Sequence, residues 1–384
     1  MTCTLLVGCQ VRGLVGSNES ESLGTTSSGT GADVTTSGVA STLTTGITTA
    51  DESDTTTSSG STSDDETTEG FIFDVMPEDV PEVCAPPQTR ACDSHDDEWY
   101  HAMGFPCHSD TPVAFDSMVE AGALYVHEGM VGSAEVFTPR QGEKMVVLST
   151  GRAHELTMPL DVLLSVHPEC EPRSCPSTQL DTTVRPVLPE PLEVRKVATD
   201  GRNCADDPSL VGTGDCSNTL EEHWTQGTGA FDYSQLRVRA TVPPNADAFQ
   251  YDFAFFSAEY PYYIDHSAAA YNDMYVAWLE SEAWTGNVSF DEAHNPITVH
   301  SVLLDYRTES DQCPTCQAPE LAGFSMEQHA GTKWLTTRAS VHPGEEIELI
   351  FAIFDLSDAA FDSAVLLDGF EWTCADGPPV TWAG

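Results

Sequence analysis

The chain has 384 residues, of which 61 are Asp or Glu and 15 are Lys or Arg, for a formal net charge of -46. That balance excludes a nucleic-acid footprint and a surface drawn to anionic lipid headgroups, both of which need clustered bases. No apolar run approaches the ~20 residues of a spanning helix, so membrane contact is expected only through an anchor.

Residues 1–16 read as a truncated signal. Leu6-Val7-Gly8-Cys9 resembles a bacterial lipobox, with Cys9 as the lipidated residue. A basic start and a full apolar run are missing before it. Lipid chains supply roughly 0.8 kcal/mol per buried CH2, so several make attachment stable. Residues 17–70 follow, and 35 of these 54 are Ser, Thr or Gly. Such a tract buries too little to offset the entropy of ordering its backbone and reads as a disordered stalk. Residues 71–111 form a lead-in rich in Pro, Cys, His and Asp. Residues 112–384 form the folded domain, with a Pro- and Cys-rich excursion at 168–220.

Strand signals dominate that domain. Lys144–Ser149 reads as a buried strand followed by a turn at Gly151. Leu160–Val166 is a second apolar segment. Leu236–Val242 alternates with period two, as a half-buried strand should. Ala248–Ser257, Met274–Leu279, Gly286–Phe290, Ile297–Leu304, Trp334–Val341, Glu346–Phe354 and Ser363–Trp372 complete the series. Pro243-Pro244-Asn245, Asn295-Pro296 and Pro343-Gly344 punctuate it as turns. The pattern predicts an all-β fold, an antiparallel β-sandwich of jelly-roll type with long disulfide-tied loops. A β-rich α+β domain is the alternative.

Ten cysteines remain beyond Cys3 and Cys9. An even number in an exported chain implies up to five disulfides, hence an oxidising compartment. Local spacing offers Cys84 or Cys92 with Cys107, Cys170 with Cys175, Cys204 with Cys216, and Cys313 with Cys316, which leaves Cys374 without a local mate. His95, Asp96, Asp97, His101 and His108 crowd together as zinc or copper donors do. Their position between Cys92 and Cys107 favours a disulfide-pinned polar loop.

Three segments carry a family resemblance: Tyr251-Asp-Phe-Ala-Phe-Phe-Ser-Ala-Glu-Tyr-Pro261, Tyr271-Asn-Asp-Met-Tyr-Val-Ala-Trp-Leu279 and Phe354–Leu367. In this order they resemble the choice-of-anchor L domain of bacterial surface proteins. Met145–Gly151, Gly286–Asp291 and Pro296–His300 resemble further parts of it, so the likeness runs from about Pro112 to Trp372. It implies surface exposure by one of several anchors and brings no enzymatic role.

Candidate sites lie at strand ends. Glu259 follows one apolar strand, Asn272 and Asp273 precede another, and Asp355, Asp358 and Asp362 line a third loop. Converging on one edge, these oxygens would serve Ca2+, which takes six to eight oxygen ligands at about 2.3–2.6 Å. The competing reading has Asp and Asn capping turns and Glu259 pairing with an arginine. Tyr260, Tyr262 and Tyr263 sit in a loop with Asp265 and His266, and loop tyrosines stack on sugar rings or anchor protein partners. No Gly-x-Ser-x-Gly elbow or His-Glu-x-x-His pattern is present. Paired carboxylates carry little weight in so acidic a chain. The function predicted is therefore non-enzymatic: display, adhesion or recognition of extracellular glycan or protein by an outer-membrane-anchored lipoprotein, stabilised by Ca2+. An extracellular polysaccharide hydrolase and a purely structural envelope lipoprotein are the rivals.

Overall fold

The computed structural model describes residues 84–88, 90–194, 204, 207–210, 216, 219–265 and 271–384. All of them fall within one compact unit, Asp74–Gly384. Cys9, the stalk, part of the excursion and His266 lie outside the described residues.

Strands β1 (Val113–Met118), β2 (Leu124–Glu128), β3 (Lys144–Ser149), β4 (Ala230–Thr241) and β5 (Ala248–Ser257) come first. They are followed by β6 (Met274–Glu280), β7 (Thr285–Asn287), β8 (Ile297–Thr298), β9 (Tyr306–Arg307) and β10 (Ala330–Gly331). The last four are β11 (Leu335–Ser340), β12 (Glu346–Leu356), β13 (Ser363–Thr373) and β14 (Val380–Ala383). They form two sheets: a six-stranded one ordered β1-β4-β12-β6-β7, with β8 beside β6, and an eight-stranded one ordered β14-β11-β5-β13-β3-β2, with β10 and β9 beyond β5. Their paired strands run antiparallel. The fold is thus the disulfide-stabilised β-sandwich expected from the strand pattern.

Alternation explains why these strands pack as they do. Phe249, Tyr251, Phe253 and Phe255 on β5 face inward, as do Tyr275, Ala277 and Leu279 on β6 and Leu349, Phe351 and Ile353 on β12. Many of their outward-facing neighbours are buried too. Val147, Ala254, Phe256 and Leu366 lie under Phe137, Leu321 and Phe324. Val276, Trp278, Ile350 and Phe354 lie under Leu188, Leu192 and Leu220. Central strands covered on both faces read as continuous apolar runs, and that is how β3, β6 and β12 are written. The excursion therefore has a packing role: its leucines roof the six-stranded sheet.

Of the apolar segments, one is helical and two pair as strand over less of their length than expected, Gly286–Phe290 only through Asn287. Leu160–Val166 is a short α-helix with Leu160 and Leu163 buried. In Ile297–Leu304 only Ile297 and Thr298 pair as strand, because Ser301 and Leu304 turn back through Ser301 N–H to Thr298 O and Leu304 N–H to Ser301 O. Among the described residues no helix is long and apolar enough to cross a membrane.

Disulfides join Cys92 to Cys107, Cys204 to Cys216 and Cys313 to Cys316, as local spacing suggested. Two corrections follow. Cys84 is bonded to Cys374, 290 residues away, so the lead-in is stapled to the residue after β13. Cys170 and Cys175 are unbonded thiols. Their turn is closed instead by Ser174 N–H and Oγ donating to Glu171 O. The lead-in also packs by side chain, since Trp99, Met103 and Phe105 enter the inter-sheet core. A staple closing so long a loop constrains the unfolded chain strongly. Cys84→Ser is expected to lower the unfolding free energy by about 2–4 kcal/mol, measured by urea denaturation, with little change in far-UV circular dichroism.

Candidate functional site

At one end of the sandwich the inward alternation continues, but its chemistry changes. On β5, inward Phe253 and Phe255 give way to Ser257 and Glu259. On β6, Asp273 precedes inward Tyr275. On β12, Asp355 follows Ile353, and on β13, Ser363 precedes Val365. Thr150 continues the inward row of Val146 and Leu148. Register brings these ends together: Ser363 pairs with Ser257, and Ala364 with Ser149. The layer between the sheets thus ends in hydroxyls and carboxylates rather than hydrocarbon.

Glu259 and Asp273 are wholly buried, and Asp355 is 1% exposed. Asp273 N–H donates to Glu259 Oε2 at 3.1 Å, and Ser363 Oγ donates to Asp273 Oδ2. Among the described residues no donor reaches Glu259 Oε1, Asp273 Oδ1 or Asp355 Oδ1. None of the three forms an ion pair with a described Lys, Arg or His. A buried charge without a partner is costly and shifts its pKa toward the neutral form. Burial first, then the charge of Asp358, pushes Glu259 up to about 8. Burial, then Asp355 and Glu259, holds Asp273 well above the usual carboxylate range. Burial does the same to Asp355, with Asp232, Asp362 and Glu259 adding repulsion.

The structure brings Glu259, Asp273 and Asp355 together and places the other predicted residues around or away from them. Asp362 is buried at the rim, where its Oδ1 accepts from Thr178 N–H at 2.7 Å, and burial raises it to about 7. A Cβ at Gly151 would collide with its carboxylate, so this turn requires glycine. Asp358 is half-buried; it accepts from Ala360 N–H at 3.2 Å and Tyr263 OH at 3.5 Å, as a turn-capping residue does. Asn272 points elsewhere, lying between His223 Nδ1 at 3.2 Å and His300 Nδ1 at 3.0 Å. No described arginine pairs with Glu259.

Sequence reasoning missed Asp232. It occupies a bulge in β4 with φ of 45°, opposite the register shift between Ile353 and Asp355. Its Oδ1 accepts from the Leu180 and Asp181 N–H groups, while its Oδ2 has no donor. Burial raises it to about 6. Residues 176–181 of the excursion therefore lie across this end of the sandwich, held to Asp362 and Asp232. The loop after β12 is strained as well: Ser357 and Phe361 have φ of 85° and 68°, the left-handed region that side chains of their kind avoid.

Aromatic rings cover the loop. Phe361 stacks on Tyr262 at 5.9 Å, and Tyr263 meets Phe361 at 5.5 Å and Tyr271 at 4.9 Å. Tyr262 is 51% exposed. It borders a recess of about 300 Å3 with Arg173, Glu309, Asp311 and Pro314. Tyr260 does not share that surface. It is buried, and its hydroxyl donates to Thr308 O at 2.8 Å.

Among the described residues, potential metal-ligand atoms come within 4.8 Å of one another in three groups: Cys92, His101 and Cys107; Cys84, Asp247 and Cys374; and Glu282, His342 and Glu345. The first two spend their sulfurs in disulfides. That leaves His101 with Asp96 at 2.8 Å, a polar loop of the kind expected from its flanking cysteines. The third lies largely at the surface.

The sequence profile of the Choice-of-anchor L domain matches residues 194–371. No curated protein and no solved structure matches the chain significantly. The matched region includes every residue of the carboxylate cluster, but it starts well after Pro112: the lead-in, β1–β3 with Met145–Gly151, and the start of the excursion all lie before it.

The raised pKa values fix a sign for pH dependence. A carboxyl whose folded pKa exceeds its unfolded value of about 4 stabilises the fold below that pH. The contribution is lost as pH rises through the folded value. Asp232, Glu259, Asp273, Asp355, Asp358 and Asp362 all shift upward. In chelator, unfolding free energy is expected to fall between pH 5 and pH 8, by roughly 1.4 kcal/mol per pH unit for each proton held only by the folded state. Urea titrations across this range check it; a flat or rising profile contradicts it.

Proposed function

We propose that this protein is a non-enzymatic display and adhesion module of the cell surface. A lipid at Cys9 and the polar stalk carry the disulfide-bonded sandwich into an oxidising, extracellular space, and the face around Tyr262 binds glycan. Support comes first from Tyr262 itself: a large aromatic ring, more than half exposed, stacked on Phe361 beside an open polar recess. An aromatic face with neighbouring acids and one arginine suits a sugar ring, which offers an apolar face and a rim of hydroxyls. The match to the choice-of-anchor L profile agrees with a non-catalytic structural or adhesive role. The most perturbed carboxylates, by contrast, are sealed inside the sandwich rather than lining a cleft, which disfavours the hydrolase reading.

Screening the chain against an array of bacterial and host glycans tests the proposal. Tyr262→Ala is expected to weaken the bound glycan about tenfold, the scale of one lost aromatic contact. Its melting temperature should not change, since the ring lies largely in solvent. Cleavage of the glycan, or equal binding by the variant, contradicts it. Partition of the expressed protein into detergent should be lost in Cys9→Ser.

A further inference from the structure

We propose that Glu259, Asp273 and Asp355 form a buried site for one divalent cation, Ca2+ by its donor chemistry. Glu259 lies two residues past β5, Asp273 directly before β6 and Asp355 near the end of β12, so three separate strand ends deliver carboxyls to one layer between the sheets. Each carboxyl keeps one oxygen that no hydrogen-bond donor reaches, although the three residues are at most 1% exposed. Native interiors rarely leave buried acceptors unsatisfied, and such groups call for an explanation, an ion among them. Glu259 and Asp273 also adjoin directly, since the Asp273 N–H reaches Glu259 Oε2 at 3.1 Å. Two carboxyls that approach each other share either a proton or a cation.

The donor set selects the cation. All the offered atoms are oxygens, and the nearby histidines are turned away: His223 and His300 bond to Asn272, while His329 lies between the Tyr260 and Cys175 carbonyls. Hard oxygen donors select Ca2+ or Mg2+ over zinc and copper. A buried, all-protein set of several carboxylates suits Ca2+, because Mg2+ holds its waters and demands near-octahedral geometry. Asp358 and Asp362 stand at the rim of the same cluster and add negative potential. The three inner carboxyls are not among the groups whose ligand atoms lie within 4.8 Å of one another. Loading therefore draws the side chains inward.

The site is independent of glycan recognition at Tyr262, so either can fail alone. The test uses the full chain, stripped with chelator and titrated with calcium chloride at neutral pH by calorimetry and thermal melting. One ion per chain and a melting temperature raised by about 5 °C or more are expected. Asp273→Asn removes one buried charge, so it should raise the melting temperature of the metal-free protein and abolish the rise on adding Ca2+. Glu259→Gln should do the same. Terbium luminescence, sensitised by the adjacent tyrosines in the wild-type chain, gives a readout that needs no variant. Absence of calcium heat, thermal shift and terbium signal in the wild type would overturn the site in favour of shared protons. So would variants that keep the full calcium response.

Discussion

Glu259, Asp273 and Asp355 carry acid into the layer between two sheets with no base among the described residues to meet it, and the rest of this end of the molecule is arranged around that fact. Like charges cannot ionise together in a dry interior at small cost. They must therefore be neutralised by protons or by a cation. Ser363 and Thr150 supply hydroxyls to the cluster, Gly151 leaves room for Asp362, and the bulge at Asp232 brings a further carboxyl to the margin. Polar burial on this scale restrains the pairing of β5 with β13 and of β12 with β4, since a slip by one residue would turn each carboxylate to the opposite face.

The segments outside the regular strands serve this core rather than standing apart from it. Lead-in residues Trp99 and Phe105 enter the inter-sheet layer, and the Cys84–Cys374 bond ties their segment to the far end of the chain. Lys144 Nζ reaches Asp97 at 2.7 Å, while Asp93 accepts the Glu143 and Lys144 N–H groups. The excursion covers one sheet with leucines and the carboxylate end with residues 176–181. A disulfide between Cys313 and Cys316 borders the recess beside Tyr262, where Gln312 bonds to Ile264 O. The exposed Tyr262 face and the buried acid thus share one end of the sandwich, with the aromatic rings of Tyr263 and Phe361 between them.

Much of this was legible in the residues. Period-two alternation locates Leu236–Val242 and apolar runs locate β3, β6 and β12, while the inward face of Glu259 emerges only when the alternation of β5 is continued through Ser257. The same rule separates Asn272 from Asp273, because neighbours along a strand point to opposite sides; the sequence reading grouped them by proximity instead. Tyr260 and Tyr262 differ for a reason the sequence does not display: the chain must leave β5 before Tyr262 reaches solvent. Asp232 was hidden because its position depends on a bulge, a property of pairing between β4 and β12. Cys84 and Cys374 were hidden because a bond across 290 residues leaves no local spacing to read.

A high-resolution crystal structure of the chain grown at neutral pH with calcium chloride bears most directly on the central claim. The account predicts a single density peak bridged by Glu259, Asp273 and Asp355, with oxygen distances of about 2.3–2.6 Å. Carboxyls hydrogen-bonded to one another, with no ion between them, would contradict it.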